Sequence, residues 1–397
     1  MKKVVILIFM VILCGFSLTF SASQTLYADS VDENQTKLEQ NVSDVIGSLD
    51  FDDYDKIISD LSKDEQNIFD GDSFKTKVEK LINGDYEVNF LSILSLIFSF
   101  FVDSFKSVVP SLCLVAVISI VSNLLMQSKS SNSSKSVGDI VHFACFALIV
   151  MIVFGLTKQV IELSQSAVVS IKSQMEITFP ILLTLMASVG GGVSVGIFQP
   201  LVAVLSGGLI TIFETIILPL FIFSVVFNVV GNLSSNVKLN KFVDIFNTIF
   251  KTLIGFVFTL FTAFLAIQGI SAGSYDGLSV KTAKFAIKSY VPFLGGYISD
   301  GFSFIITSSI LVKNAVGMAG LLLLLCTILK PIAIIVSLKI SLSLLGGVLQ
   351  PVADKRVCDF VSSVAKSLNM LIATLVGIAF AYLITVGLIM CCSNLAL

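Results

Sequence analysis

From Phe90 onward the chain is a succession of apolar runs separated by short polar strings, and the longest of them, residues 201–232, has more apolar length than a small aqueous core can cover. The candidate spans are 107–126, 138–157, 179–199, 201–232, 250–270, 291–312, 314–338 and 367–390, with 90–104 as an interfacial or half-spanning helix. A helix needs about 20 residues to cross about 30 Å of hydrocarbon. Backbone polar groups in lipid must be satisfied within the segment, so the expected fold is an all-α, polytopic helical membrane protein with about seven crossings. The run 201–232 contains Gly207, Gly208, Glu214 and Pro219, which predicts either a kinked helix or a half-helix followed by a span. Composition agrees: 13% of residues are charged and mean hydropathy is +0.96, whereas soluble chains carry about 25% charged residues.

Charge divides the chain. Residues 24–89 carry 17 acidic and 6 basic groups, and residues 90–397 carry 10 and 17. The acidic part has its own helical pattern, with Ile46, Leu49, Tyr54, Ile57, Ile58 and Leu61 recurring among aspartates. Ser62 and Glu65 have capping-box spacing, and Phe74, Val78, Leu81 and Ile82 form a second apolar stripe that Gly84 is expected to stop. So few residues bury little surface by themselves, which predicts that this segment folds on the body or on a partner. Its charge argues against nucleic acid or anionic lipid as its ligand.

The first 23 residues read as a signal peptide, with Lys2 and Lys3 before an apolar stretch and Ser21-Ala22-Ser23 at its end. An uncleaved anchor is the competing reading, and both put residues 24–89 outside the cytoplasm. In the body, Lys129 and Lys135 mark one basic loop, Lys238, Lys241 and Lys251 a second, and Lys355, Arg356 and Lys366 a third. All three are expected to be cytoplasmic. Residues 158–176, with balanced charge, are expected to be external, and 271–290 to lie as an amphipathic helix on a membrane surface.

The body also carries signs of duplication. Pro180 and Pro219 are 39 residues apart, as are Pro292 and Pro331, and a shift of 112 positions also superposes Gly208 on Gly320 and Thr215 on Thr327. This favours an internal repeat with candidate units 138–249 and 250–361. A looser threefold pattern places an aspartate after each basic loop: Asp139, Asp244 and Asp359. Each is expected at the start of a helix, where a carboxylate caps free amides; a shared ion-binding role is the sharper alternative.

Candidate intramembrane polar residues are Glu214 and Asp300, because a carboxylate at bilayer depth must face protein, water or a cation. Either residue serves as a coupling group in a conduction path or as a structural hydrogen-bonding or interfacial group. His142 is the only histidine, so no multi-histidine metal site exists. The cysteines outside the leader, Cys113, Cys145, Cys326, Cys358, Cys391 and Cys392, lie in or beside apolar runs and read as small apolar residues. No phosphate loop, dinucleotide fingerprint or nucleophile–base arrangement is present, so neither an enzyme nor a cofactor is expected.

Taken whole, the chain resembles the stage III sporulation protein AE family of endospore-forming bacteria. The resemblance rests on the leader, the acidic segment ending at Leu81-Ile82-Asn83-Gly84, the string from Val291-Pro292-Phe293-Leu294-Gly295-Gly296 to Tyr297-Ile298-Ser299-Asp300, and the endings Gln199-Pro200 and Gln350-Pro351. It implies a multi-pass component of a mother-cell complex in the outer forespore membrane, with the acidic segment in the intermembrane space. It further implies a channel-like or secretion-like assembly supporting forespore development. The implied partners are other stage III sporulation proteins of the AA to AH set, indirectly a forespore membrane protein, and membrane lipid. An autonomous ion or small-solute transporter and a purely structural membrane scaffold are the alternatives.

Overall fold

The computed structural model describes residues 33–66, 71–85, 90–127, 135–233, 240–290 and 295–392. The expected signal peptide, including Cys14, lies outside the described residues. All regular structure among them is helical. The acidic segment forms α1 (Glu33–Gly47), α2 (Asp52–Asp60), the single turn α3 (Lys63–Gln66) and α4 (Phe74–Asn83). The body consists of α5 (Phe90–Gln127), α6 (Lys135–Ser188), α7 (Gly192–Ala203), α8 (Ile210–Ile212), α9 (Leu218–Leu233), α10 (Asn240–Tyr290), α11 (Gly295–Leu349) and α12 (Lys355–Cys392). Two π-helical stretches, Val204–Leu209 and Phe213–Ile217, join α7, α8 and α9 into one interrupted rod.

The count of about seven crossings, give or take one, narrows to six candidate spans among the described residues. Among the described residues, the helices long and apolar enough to span are Ile93–Leu125, Phe143–Ser188, Gly192–Asn232, Lys241–Leu265, Gly301–Leu349 and Lys355–Cys392. The expected half-spanning segment 90–104 is continuous with the span that follows it in α5. Residues 158–176, expected as an external loop, are the middle of α6, where Lys158–Glu162 and Lys172–Glu176 pair across one helical turn. Residues 271–290 continue α10, and 291–312 with 314–338 contribute to the single helix α11. The expected span 179–199 is instead broken after Ser188, where Gly190 has a φ of 90° and its amide bonds to the Ala187 carbonyl. That backbone conformation is costly for a residue with a Cβ.

The broken rod has identifiable causes. Pro219 has no N–H to offer the carbonyl four residues back, and the second π stretch lies immediately before α9, which contains it. Gly207 and Gly208 sit in the first π stretch. By contrast Pro110, Pro180 and Pro331 lie inside α5, α6 and α11 without interrupting them.

The core of the bundle is the α11–α12 hairpin. The most apolar windows of these helices are 72% and 67% buried within the protein, whereas that of α10 is 11% buried and presents an apolar face outward. Around the hairpin pack α5 and α6 on one side and α9 and α10 on the other. Asn123 near the end of α5 donates to the Val352 carbonyl in the turn between α11 and α12 (2.6 Å), while Phe146 of α6 meets Phe360 of α12 edge to face. An up-and-down path of the six spans brings the ends of α5, α9 and α11 to one end of the bundle.

Candidate functional site

The acidic segment is built onto the body. Its capping box forms: Glu65 Oε2 accepts from both the Ser62 amide (2.7 Å) and the Ser62 hydroxyl (2.6 Å). Ser73 caps α4 by accepting from the Thr76 amide, and Gly84, at φ 75°, ends it as expected. Asp55 accepts from the Phe74 amide (2.8 Å), tying α2 to α4. The two apolar stripes bury Ile46, Tyr54, Ile58, Phe74, Val78 and Ile82 in the same core as the membrane helices. Helices α1 and α4 pack on α11, and α2 packs on α6.

At the centre of this junction Tyr54 stacks on Phe74, with ring centroids 3.7 Å apart. The Tyr54 hydroxyl donates to Thr178 Oγ1 (2.9 Å), and the Tyr382 hydroxyl of α12 donates to the same oxygen (2.8 Å). One threonine thus uses both lone pairs to join the acidic segment, α6 and α12. Burial raises the Tyr54 phenol well above its ordinary pKa, the neighbouring Tyr382 adds to this, and the Thr178 hydrogen bond acts in the opposite sense. Gly320 of α11 makes room for the junction: a Cβ there would stand 3.2 Å from Thr178 Cγ2 and 3.3 Å from the Tyr382 hydroxyl. One turn away on α6, Gln174 donates to Thr327 of α11 (2.5 Å), and Thr327 in turn donates to the Leu323 carbonyl. The hydrophobic pattern foretold the buried faces, but nothing in sequence pairs Tyr54 with Thr178 and Tyr382.

The central helix carries three lysines that hydropathy reasoning passed over. Lys313 is buried, and its ammonium donates to the carbonyls of Ile389 (3.1 Å) and Met390 (2.9 Å) at the end of α12. These terminal carbonyls lack intrahelical donors and carry the negative end of the helix dipole, so a buried cation is satisfied there. Lys339 donates to Asn369 of α12 (2.6 Å), and Ser224 of α9 bonds Ser367 of α12 (2.8 Å). Lys330 is half-buried and makes no ion pair among the described residues. The signal available in sequence was spacing, since all three lie within or beside runs read as spans.

The expected polar sites fall out differently. Glu214 lies in the second π stretch with its side chain exposed, and it makes no ion pair among the described residues. Counted along the helix to Leu233 it stands about 28 Å from the end bearing the basic loops, close to one hydrocarbon thickness. Asp300 is in the second turn of α11; its side chain, like those of Asp139 and His142, lies outside the described residues. Asp139, Asp244 and Asp359 are each the fifth residue of a helix, in α6, α10 and α12. They stand one turn inside the position from which a carboxylate caps free amides. For α12 the cap is Asp354, whose carboxylate accepts from the Arg356 amide (2.7 Å) and whose carbonyl accepts from Val357. Among the described residues no three His, Cys, Asp or Glu side chains gather to hold a metal ion.

Six apolar helices among the described residues, two of them forming the buried hairpin, with an acidic helical segment folded onto them, define a polytopic α-helical membrane protein. Residues 73–393 match the family described as Stage III sporulation protein AE (spore_III_AE), and the chain belongs to that family. It is 23% identical over 370 residues to the Stage III sporulation protein AE of Bacillus subtilis (strain 168), covering 93% of this chain and 92% of the relative. No solved structure matches it.

Proposed function

We propose that the chain is a membrane-embedded, non-catalytic component of a channel-like or secretion-like complex that joins mother cell and forespore and supports forespore development. In this reading it sits in the outer forespore membrane, with the basic loops in the mother-cell cytoplasm and the acidic segment in the intermembrane space. Its partners are other stage III sporulation proteins and, through them, a forespore membrane protein.

The observation that carries this reading is helix length. Helices α6, α10 and α11 have 54, 51 and 55 residues, or about 77–83 Å each at 1.5 Å per residue, against about 30 Å of hydrocarbon. Measured along α11, the Thr327 contact is about 33 Å from Leu349. Another 32 residues of the same helix continue beyond it to Gly295. The surplus helix and the docked acidic segment form a rigid platform beyond one face of the bilayer, which suits assembly with partners across a narrow space better than autonomous solute exchange.

Duplication belongs to the same proposal. Helix α6 with the rod α7–α9, and helix α10 with α11, each comprise a long helix, a short connection and a second long helix. This order supports a repeat with units 138–249 and 250–361, the second beginning inside α10.

A test combines topology with assembly. In sporulating cells, a membrane-impermeant thiol reagent applied from the intermembrane side should label a cysteine placed at exposed Asp53 and leave one placed at Arg356 unlabelled. A tagged chain should co-isolate with stage III sporulation proteins. Labelling only at position 356 would refute the orientation, and a chain recovered without those proteins would refute the assembly.

A further inference from the structure

Between α5, α6 and α11 lies a cavity of about 430 Å³ whose lining changes character along its length. On α11 the cavity begins at Lys330, and Ile334 and Leu338 follow one and two turns nearer the basic loops. On α5 its lining runs from Phe100 through Asp103, Ser104 and Ser107 to Val108, while α6 contributes Gln159 among Leu156, Val160 and Leu163. A charged and hydroxylic mouth therefore opens onto an aliphatic trough.

The depth and charge of this mouth identify its occupant. Lys330 is about 28 Å from Leu349 along α11, so its ammonium stands where hydrocarbon gives way to headgroups. An intramembrane lysine is costly unless its charge reaches water or an anion. Asp103 does not supply that anion. Its side chain is 67% exposed and Lys106 approaches it at 3.4 Å, whereas no ion pair links it to Lys330. Asp103 and Lys330 are the charged groups of the lining, and Lys330 makes no ion pair among the described residues.

We propose that this cavity binds an anionic phospholipid from the leaflet farther from the basic loops. The phosphate rests on Lys330, with Gln159 and Ser104 lining the same cavity, and an acyl chain lies along Val108, Leu156, Ile334 and Leu338. The volume lies within the usual range for small-ligand pockets, about 300–1,000 Å³, and accommodates a headgroup and the start of a chain. This assignment is independent of the channel reading, because it follows from the cavity and the bilayer alone.

The full chain, delipidated in detergent and reconstituted in phosphatidylcholine nanodiscs, provides the test. Adding phosphatidylglycerol should raise the unfolding midpoint, and native mass spectra should retain one phosphatidylglycerol per chain. Lys330→Gln should weaken that retention at least tenfold, while Lys330→Arg and a control at half-buried Lys172, Lys172→Gln, should keep it. Soluble glycerol phosphate should give no shift. Equal retention by Lys330→Gln and the natural chain would overturn the proposal, as would a full shift from glycerol phosphate alone, which would assign the cavity to a solute. Should Lys330→Gln fail to fold, the natural chain decides: no preference for phosphatidylglycerol over phosphatidylethanolamine overturns the proposal as well.

Discussion

Replacing Thr178 by valine tests whether the acidic segment is held to the body by a shared acceptor. Valine keeps the shape of threonine and removes the oxygen, leaving the hydroxyls of Tyr54 and Tyr382 buried without the partner each now has. An unsatisfied buried donor costs about 1–3 kcal/mol, so two place the loss at about 2–6 kcal/mol, with relaxation drawing it toward the lower end. Removing the donors instead is milder. Tyr54→Phe or Tyr382→Phe forfeits one hydrogen bond, about 1 kcal/mol, and leaves Thr178 with its other partner. The triple variant Tyr54→Phe, Thr178→Val, Tyr382→Phe has no orphaned donor, so it should be more stable than Thr178→Val alone by at least about 1 kcal/mol despite carrying two more substitutions. Cys326 reports the opening, because it is fully buried in α11 beside Thr327 and close enough to Glu65 and Lys77 to feel their charges. Mass spectrometry should show its thiol labelling in folded protein rising about 30-fold in Thr178→Val, the factor for 2 kcal/mol, and falling back at least about fivefold in the triple variant. Additive losses, with the triple variant worse than Thr178→Val, would refute the shared-acceptor account.

Two other substitutions probe the bundle. Lys313→Met should lower the thermal midpoint, measured by circular dichroism of the full chain, because the carbonyls of Ile389 and Met390 lose their donor; Lys313→Arg should recover part of the loss. Asp354→Ala should destabilise the start of α12 by about 1 kcal/mol, read as faster amide exchange in its first turn, whereas Asp359→Ala, at an exposed position one turn inside, should change exchange there little.

Helical class, apolar body and acidic segment were legible because each rests on local pattern. Tyr54, Ile58, Phe74 and Val78 are buried as their spacing predicts, and Gly84 adopts the left-handed conformation that ends α4. Span counting was less successful for a physical reason. Hydropathy measures removal from water, and it scores a residue buried by other helices as it scores one buried by lipid. Residues 314–338 were read as a whole crossing, yet they are the middle of α11, where Val316, Ala319, Leu322 and Leu323 are covered by protein. At 158–176 the balanced charges, read as a mark of external position, are spaced to pair along a continuing helix. The Thr178 junction was illegible because hydrogen-bond partners 124 and 204 residues apart leave no periodic trace.

The same distinction explains why the polar residues of α11 differ from Glu214. A carboxylate on the outer face of the broken rod can reach headgroups or a partner, so its burial cost is small and it needs no companion in the chain. Lys313 and Lys339, turned toward α12, instead have their charge met within the bundle. Lys313 meets the terminal carbonyls of α12 and Lys339 meets Asn369, each using a group supplied by the neighbouring core helix. Lys330 faces α5 and α6 instead of α12, and there the structure supplies a cavity in place of a paired group. Three cations on one core helix therefore divide by what adjoins them: two lock the hairpin together, and the third is left to bind from outside the chain. On this account Lys330 is the α11 lysine whose replacement should change lipid selectivity more than hairpin stability.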